Sequence, residues 1–313
     1  MSIDKYYQEL YRYLVDFCDI EPIYNKIKNK NKIISIVEKQ IDKHDFERIQ
    51  PKYRVHLESL ILSINGHKYV KDIIVHGSYG DHNIIDYSDI DVTVVINDSV
   101  LGCREKLREL KKFWLGVVIP KSMKISPFQH HGPFLLWPDL INNYDEGILP
   151  LVVYNDSWSM HGSIYKFSIM KKASPNIKKL IAKISKQGDK SLKSRNIYDS
   201  YLFVSNTMLF PAVFLQSIDV EISKKDSFNY IKTMNVNFNF LCVSSKIRQN
   251  WARNRMAVLL ISILLRIVQY RKPFFVSRYV GYLFSNNYTY SDIRDLQNKF
   301  IDQTKDIGKI IKE

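Results

Sequence analysis

The chain has little glycine and little proline, 11 and 10 residues among 313. That scarcity excludes collagen-like and linker-rich architectures. Cysteine is scarcer still: Cys18, Cys103 and Cys242 lie far apart, their number is odd, and no Cys-x-x-Cys pair exists. The pattern argues against both a disulfide framework and a zinc site. Long hydrophobic runs are also missing. The longest, Met256 to Leu265, stops at Arg266 and is too short to span a bilayer. The first thirteen residues contain Asp4, Lys5, Glu9 and Arg12, so they do not read as a secretory signal. These absences together predict a reducing, cytoplasmic setting without a membrane partner.

What is present is a globular composition, 45% hydrophobic and 25% charged. This is enough apolar material for two domains with real cores. Lys+Arg number 46 against Asp+Glu 32, a formal charge of +14. Such an excess attracts polyanions, whether nucleoside triphosphates, nucleic acid or acidic surfaces, without choosing among them.

Periodicity divides the chain into three. Residues 1–70 read as helices: Leu10, Tyr11, Leu14, Val15 and Cys18 recur at helical spacing, Asn31 to Lys43 forms a second helix, and Arg54 to Ile64 a third, ended by Asn65-Gly66. Residues 71–170 change texture. Asp72 to His76 and Asp91 to Ile96 are β-branched runs, the latter apolar enough for a central strand. Ser99 is a candidate cap for a helix reaching Trp114, with Leu107, Leu110 and Trp114 on one face. Further strands are expected at 117–119, 124–128, 134–137 and 151–154. Residues 171–313 read as helices over 175–186, 198–216, 245–270 and 291–312, with Pro211 expected to kink or end the second. The fold class is α/β (α+β): a small mixed sheet with flanking helices, then a helical C-terminal domain.

The chemistry concentrates in Val75 to Ile96, VHGSYGDHNIIDYSDIDVTVVI. A strand runs into Gly77-Ser78, ten residues follow (Tyr79 to Ser88), and Asp89-Ile90-Asp91 opens the next strand. Side chains alternate along a strand, so Asp89 and Asp91 share a face about 7 Å apart while Ile90 turns inward. Two such carboxylates suit Mg²⁺, which takes one or two of them plus phosphate oxygens. Gly77 permits close approach of backbone to phosphate, Ser78 offers a hydroxyl, and the helix start behind them offers N–H groups.

This segment resembles the signature of the polymerase-β-like nucleotidyltransferase superfamily, in particular the stand-alone bacterial and antibiotic-modifying type. The resemblance covers roughly residues 70–160. It implies transfer of a nucleoside monophosphate from an NTP to an acceptor hydroxyl, with release of pyrophosphate. Asp89 and Asp91 would hold Mg²⁺ or Mn²⁺, and Gly77 and Ser78 the triphosphate. The acceptor, whether small molecule, tRNA end or protein side chain, is not readable.

Active relatives carry a third acid on a later strand of the same sheet. Here no Asp or Glu occurs between Glu109 and Asp139. Three readings stay open. Asp139 supplies the acid just past a strand end; His131 or His130 acts as the base, being able to take a proton near neutral pH; or the group is missing and the fold is a silent binding or antitoxin-like module. His76 reads as structural and Asp86 as solvated.

Two further stretches are strongly basic. Residues 171–195 hold nine cations and one acid, Asp189. Lys179, Lys183, Lys186, Lys190 and Lys193 form one stripe if Gly188 leaves the helix unbroken. Residues 246–255 carry Lys246, Arg248, Arg253 and Arg255 without an acid. Both stretches are candidate nucleic-acid contacts. For the first, the solvated face of an amphipathic helix is the favoured reading. In the second, a cation-rich helix start opposes its own dipole and invites an anionic partner. Lys224 to Phe228 reads as a basic loop before a helix. A basic RNA-binding protein without nucleotide chemistry is the remaining alternative.

Overall fold

The computed structural model describes residues 33–43, 46–84, 88–100, 103–118, 120–122, 133–146, 149–173, 175–234, 238–250, 260, 263–264, 279, 290–305 and 307. The chain divides into two compact units, residues 1–173 with 261–276 and residues 174–260 with 277–313. The first is mixed α and β and the second is helical, which is the α+β class expected. The described residues 33–70 share a unit with 71–170. No helix among the described residues is long and apolar enough to cross a membrane.

Among the described residues the first unit contains two sheets. A three-stranded sheet has the order β1 (Ser35–Gln40), β8 (Ile164–Lys171), β6 (Tyr144–Asp145). A five-stranded sheet has the order β2 (Asp42–Lys43), β7 (Trp158–Ser159), β3 (Val70–His76), β4 (Asp91–Ile96), β5 (Phe134–Leu136). β3 pairs antiparallel with β4 and β7, while β5 runs parallel to β4. Asp72, buried in β3, accepts hydrogen bonds from Ser163 Oγ (2.6 Å) and Tyr165 Oη (2.7 Å), which ties β3 to the start of β8. Burial, followed by the adjacent carboxylate, pushes the Tyr165 phenol up, so it stays a donor.

β4 is paired on both sides, and Val92, Thr93, Val94, Val95 and Ile96 are all buried. This is the central strand its apolar run predicts. Helix α1 (Pro51–Asn65) starts with proline in its first turn, where a missing N–H costs nothing. It buries Tyr53, Leu57, Leu60, Ile61 and Ile64, one stripe at helical spacing. Single-turn helix α2 (Gly77–Gly80) follows β3 directly, and α3 (Arg104–Phe113) buries Leu107 and Leu110, with Trp114 just beyond. Single-turn helix α4 (Pro138–Ile141) follows β5.

Several sequence expectations are corrected. The helix expected over 31–43 is β1 and β2 across its described part: burial alternates along Ser35–Gln40, and β8 supplies the pairing partner that overrides helical spacing. Ser99 lies in a 3₁₀ turn (Asp98–Val100), and the helix begins only after Cys103. Trp114–Val118 extends α3 as a π turn, with Trp114 and Val118 buried, instead of forming a strand. Leu151–Tyr154 is a 3₁₀ turn opened by Pro150, not a strand. The expected helix over 10–18, the strand over 124–128 and Cys18 lie outside the described residues. Cys103 and Cys242 are free thiols.

The second unit is built from α5 (Ile177–Ser194), α6 (Ile197–Ser217), α7 (Lys224–Thr233), α8 (Phe240–Asn250) and α9 (Tyr290–Thr304). α6 continues through Pro211, and α7 begins at Lys224, capped by Ser223 Oγ accepting from the Asp226 N–H (3.1 Å). So the basic loop expected at 224–228 is a helix start. Phe210, Phe238, Phe240 and Phe300 meet mostly edge to face, with Phe210–Phe300 centroids 5.3 Å apart.

Candidate active site

β3 and β4 bring the two halves of the motif together. His76, the last residue of β3, is the cross-strand partner of Asp91, the first residue of β4. The chain leaves β3 at Gly77 with φ +64°, a conformation L side chains rarely adopt. A Cβ at Gly77 would lie 2.5 Å from Asp91 Oδ2 and 3.3 Å from its Cβ and Cγ. The Asp91 carboxylate therefore lies directly against the turn, in space that only glycine leaves open. Asp89 and Asp91 are half-buried and flank Ile90, which is 1% exposed. The two acids and the Gly77-Ser78 turn thus cluster at one end of the β3–β4 pair.

The turn itself is wedged in place. A Cβ at Gly80 would lie 2.8 Å from the Asp156 carbonyl and 3.0 Å from that of Val75. Trp158 donates its indole N–H to the Tyr79 carbonyl (3.2 Å). Asp81 closes the following loop by accepting from the Asn83 N–H (2.9 Å), and His82 takes φ 58°. Helix α2 is a single turn, so the helix start expected behind Ser78 offers little dipole. Asp86 lies outside the described residues.

Beneath Asp91, on the same face of β4, Thr93 Oγ1 shares hydrogen bonds with His76 Nε2 (3.1 Å) and Tyr154 Oη (3.2 Å). All three side chains are buried, and His76 also packs against Phe134 (5.7 Å) and Tyr154 (5.8 Å). Burial pushes the Tyr154 phenol up to about 12, so it remains protonated. Sequence reasoning missed Thr93, although it is the one hydroxyl in the run that follows Asp91. Tyr154, Trp158 and Gly80 had no sequence signal, because only the return of residues 155–159 to β3 gives them a role.

Asp139, the acid offered as the third group, does not join Asp89 and Asp91. β5 begins at Phe134, level with Thr93, and runs parallel to β4, so Leu136 is level with Val95. Asp139, in α4 beyond Leu136, is exposed. Asp91 is four residues before Val95, so strand rise alone separates the two ends by roughly 13 Å. The structure does not bring Asp139 to Asp91. His130 and His131 lie outside the described residues.

Among the described residues no group of three or more His, Cys, Asp or Glu side chains could hold a metal. Asp89 and Asp91 offer two hard carboxylate ligands, a donor type that would fit Mg²⁺ or Mn²⁺. No family model, curated protein or solved structure matches the chain.

Proposed function

We propose that the first unit is a nucleotidyltransferase of the polymerase-β-like kind. The observation that carries this reading is the close approach of Asp91 to Gly77: a carboxylate held against a glycine turn, with Asp89 two residues before it and Ser78 one residue after the glycine. In this reading the Gly77 backbone and the Ser78 hydroxyl bind the triphosphate of an NTP. Asp89 and Asp91 hold Mg²⁺ or Mn²⁺, which when bound would neutralise charge on the triphosphate and activate the attacking oxygen. The acceptor hydroxyl oxygen bonds to the α-phosphorus as the α–β bridging bond breaks. Pyrophosphate leaves with that electron pair, and the hydroxyl proton passes to His131, His130 or water. The acceptor is a hydroxyl of a small molecule, a tRNA end or a protein. His76, Thr93 and Tyr154 hold the floor under Asp91 and are positioning residues. The setting proposed is cytoplasmic.

The apolar Phe134, level with Thr93, favours one second reading: an NTP-binding fold without transfer. One experiment separates the two. Each of the four α-labelled NTPs is incubated with Mg²⁺, cell extract and either wild type or the Asp89→Asn/Asp91→Asn double variant. Transfer predicts label on an acceptor with wild type alone. Mg²⁺-dependent NTP binding without labelling from any NTP leaves the silent fold. Equal metal dependence of binding in the double variant removes both readings.

A further inference from the structure

The stripe on α5 is one continuous face. The helix runs unbroken through Gly188, where a Cβ would meet Gln297 and Phe203 at 3.1 Å. Glycine here is a packing residue against α9 and α6, not a break. Ile177, Ile184, Gly188 and Ser191 are buried on the inner side. At about 100° per residue, Lys179, Lys183, Lys186, Lys190 and Lys193 fall within an arc of roughly 80° on the opposite side, spanning about 21 Å of axis. All five are exposed. Lys190 is committed to Asp199 (2.6 Å), whereas Lys179, Lys183, Lys186 and Lys193 make no ion pair among the described residues. The one acid of the helix, Asp189, accepts from Gln297 Nε2 (2.6 Å). Like charges at these helical steps weaken a helix, and among the described residues no acid pairs with Lys179, Lys183, Lys186 or Lys193.

A second cluster lies at the end of this stripe. Arg195, the residue that ends α5 in the left-handed conformation, stacks on the Tyr290 ring (4.7 Å). Arg294 lies over the same ring (5.0 Å) and donates to Tyr290 Oη (2.9 Å). That hydrogen bond, foremost, holds the phenol below its ordinary range. α9 runs antiparallel to α5, since Tyr290 meets Arg195 and Gln297 meets Asp189. Two exposed guanidinium planes, braced by one phenol, thus lie at the C-terminal end of the helix that carries the lysine stripe.

We propose that this face of the second unit binds single-stranded nucleic acid, with the lysine stripe along the phosphates and Arg195 and Arg294 against phosphate or base at its end. The steps from Lys179 through Lys183 to Lys186 rise about 4.5–6 Å and the step on to Lys193 about 10.5 Å, a row of point charges suited to a backbone carrying one charge per nucleotide. Guanidinium planes are surfaces on which unpaired bases stack, and a duplex withholds those bases. The assignment is independent of nucleotide transfer in the first unit.

The test uses the full chain and a fluorescent 20-nucleotide oligouridylate, read by anisotropy over a range of salt. Replacing Lys179, Lys183, Lys186 and Lys193 by Gln should make the slope of log K against log salt shallower by about 3, roughly 0.7 for each phosphate no longer neutralised. Near 0.1 M salt the same change weakens binding by several hundred-fold, an order-of-magnitude figure. Arg195→Ala/Arg294→Ala should weaken binding with the lysines intact and narrow the preference for single strand over duplex RNA. Circular dichroism checks that each variant is folded, and the arginine pair tests the face if the lysine variant is not. A slope change under about one unit in the folded lysine variant overturns the proposal. So does tighter binding of duplex, or binding to phosphatidylserine vesicles but not to RNA.

Discussion

Replacing Gly77 by alanine is the sharpest perturbation of the candidate site. The φ of +64° costs a residue with a Cβ about 1–2 kcal/mol. The new methyl carbon would also lie 2.5 Å from Asp91 Oδ2. That clash involves the far end of a side chain, so rotation of the carboxylate relieves most of it. The stability loss should therefore stay near the φ cost, about 1–2 kcal/mol in denaturant unfolding. The functional loss should be much larger, because the rotated carboxylate leaves the face it shares with Asp89. The assay is paired: urea unfolding for stability, and Mg²⁺-dependent binding of a fluorescent NTP for function. A double-mutant cycle with Asp91→Ala, which removes Oδ2 and Cγ but leaves the Cβ, isolates the interaction. A coupling of about 0.5–3 kcal/mol is the range for touching residues. Strictly additive stability changes, or an alanine variant that binds NTP and metal as wild type does, would refute the geometry argued for this turn.

The other predictions are smaller in scope. Ser78→Ala should weaken triphosphate binding by roughly 1 kcal/mol, one net hydrogen bond, in a titration at fixed Mg²⁺. Asp139→Asn should leave nucleotide transfer unchanged, since Asp139 follows the far end of β5; a loss comparable to that of Asp91→Asn would contradict the parallel pairing of β5. For Asp199, burial favours the neutral acid, but hydrogen bonds from Lys190, Asn196 and Ser194 outweigh it and hold the carboxyl below its ordinary range. Its contribution is thus complete above the unfolded value of 3.8 and lost as pH falls through the lower folded value. The stability gap between wild type and Asp199→Asn should shrink below that pH, and a gap that stays constant or grows down to about pH 2 would refute the assignment. Gly188→Ala gains about 1 kcal/mol of helix propensity. Yet its methyl would crowd Gln297, held by Asp189, and fully buried Phe203, so thermal unfolding should show net destabilisation of about 1 kcal/mol.

The sequence by itself determined what depends on local pattern. The apolar run Asp91–Ile96 could only be an interior strand, and the alternation Asp89-Ile90-Asp91 divides acids from core within three residues. Helix α1 followed from one apolar stripe and its Asn65-Gly66 stop, whereas its start at Pro51 did not. The spacing of the α5 lysines was likewise readable, because helical periodicity is local. Tertiary structure decided the rest. The segment at 35–43 became strand because β8 and β7, both far later in the chain, supplied partners for β1 and β2. Leu151–Tyr154 became a 3₁₀ turn because its apolar residues fill a corner of the core instead of a sheet. Gly188 continued the helix because α6 and α9 press where a side chain would be. Most consequential is the meeting of Gly77 with Asp91: the motif names both residues, but only the antiparallel register of β3 and β4 sets His76 opposite Asp91 and so brings the carboxylate against the turn. The same register places Thr93 over His76 and Tyr154, and the parallel course of β5 carries Asp139 away. Sequence spacing fixes which residues share a face, and strand pairing, a long-range property, fixes which faces meet.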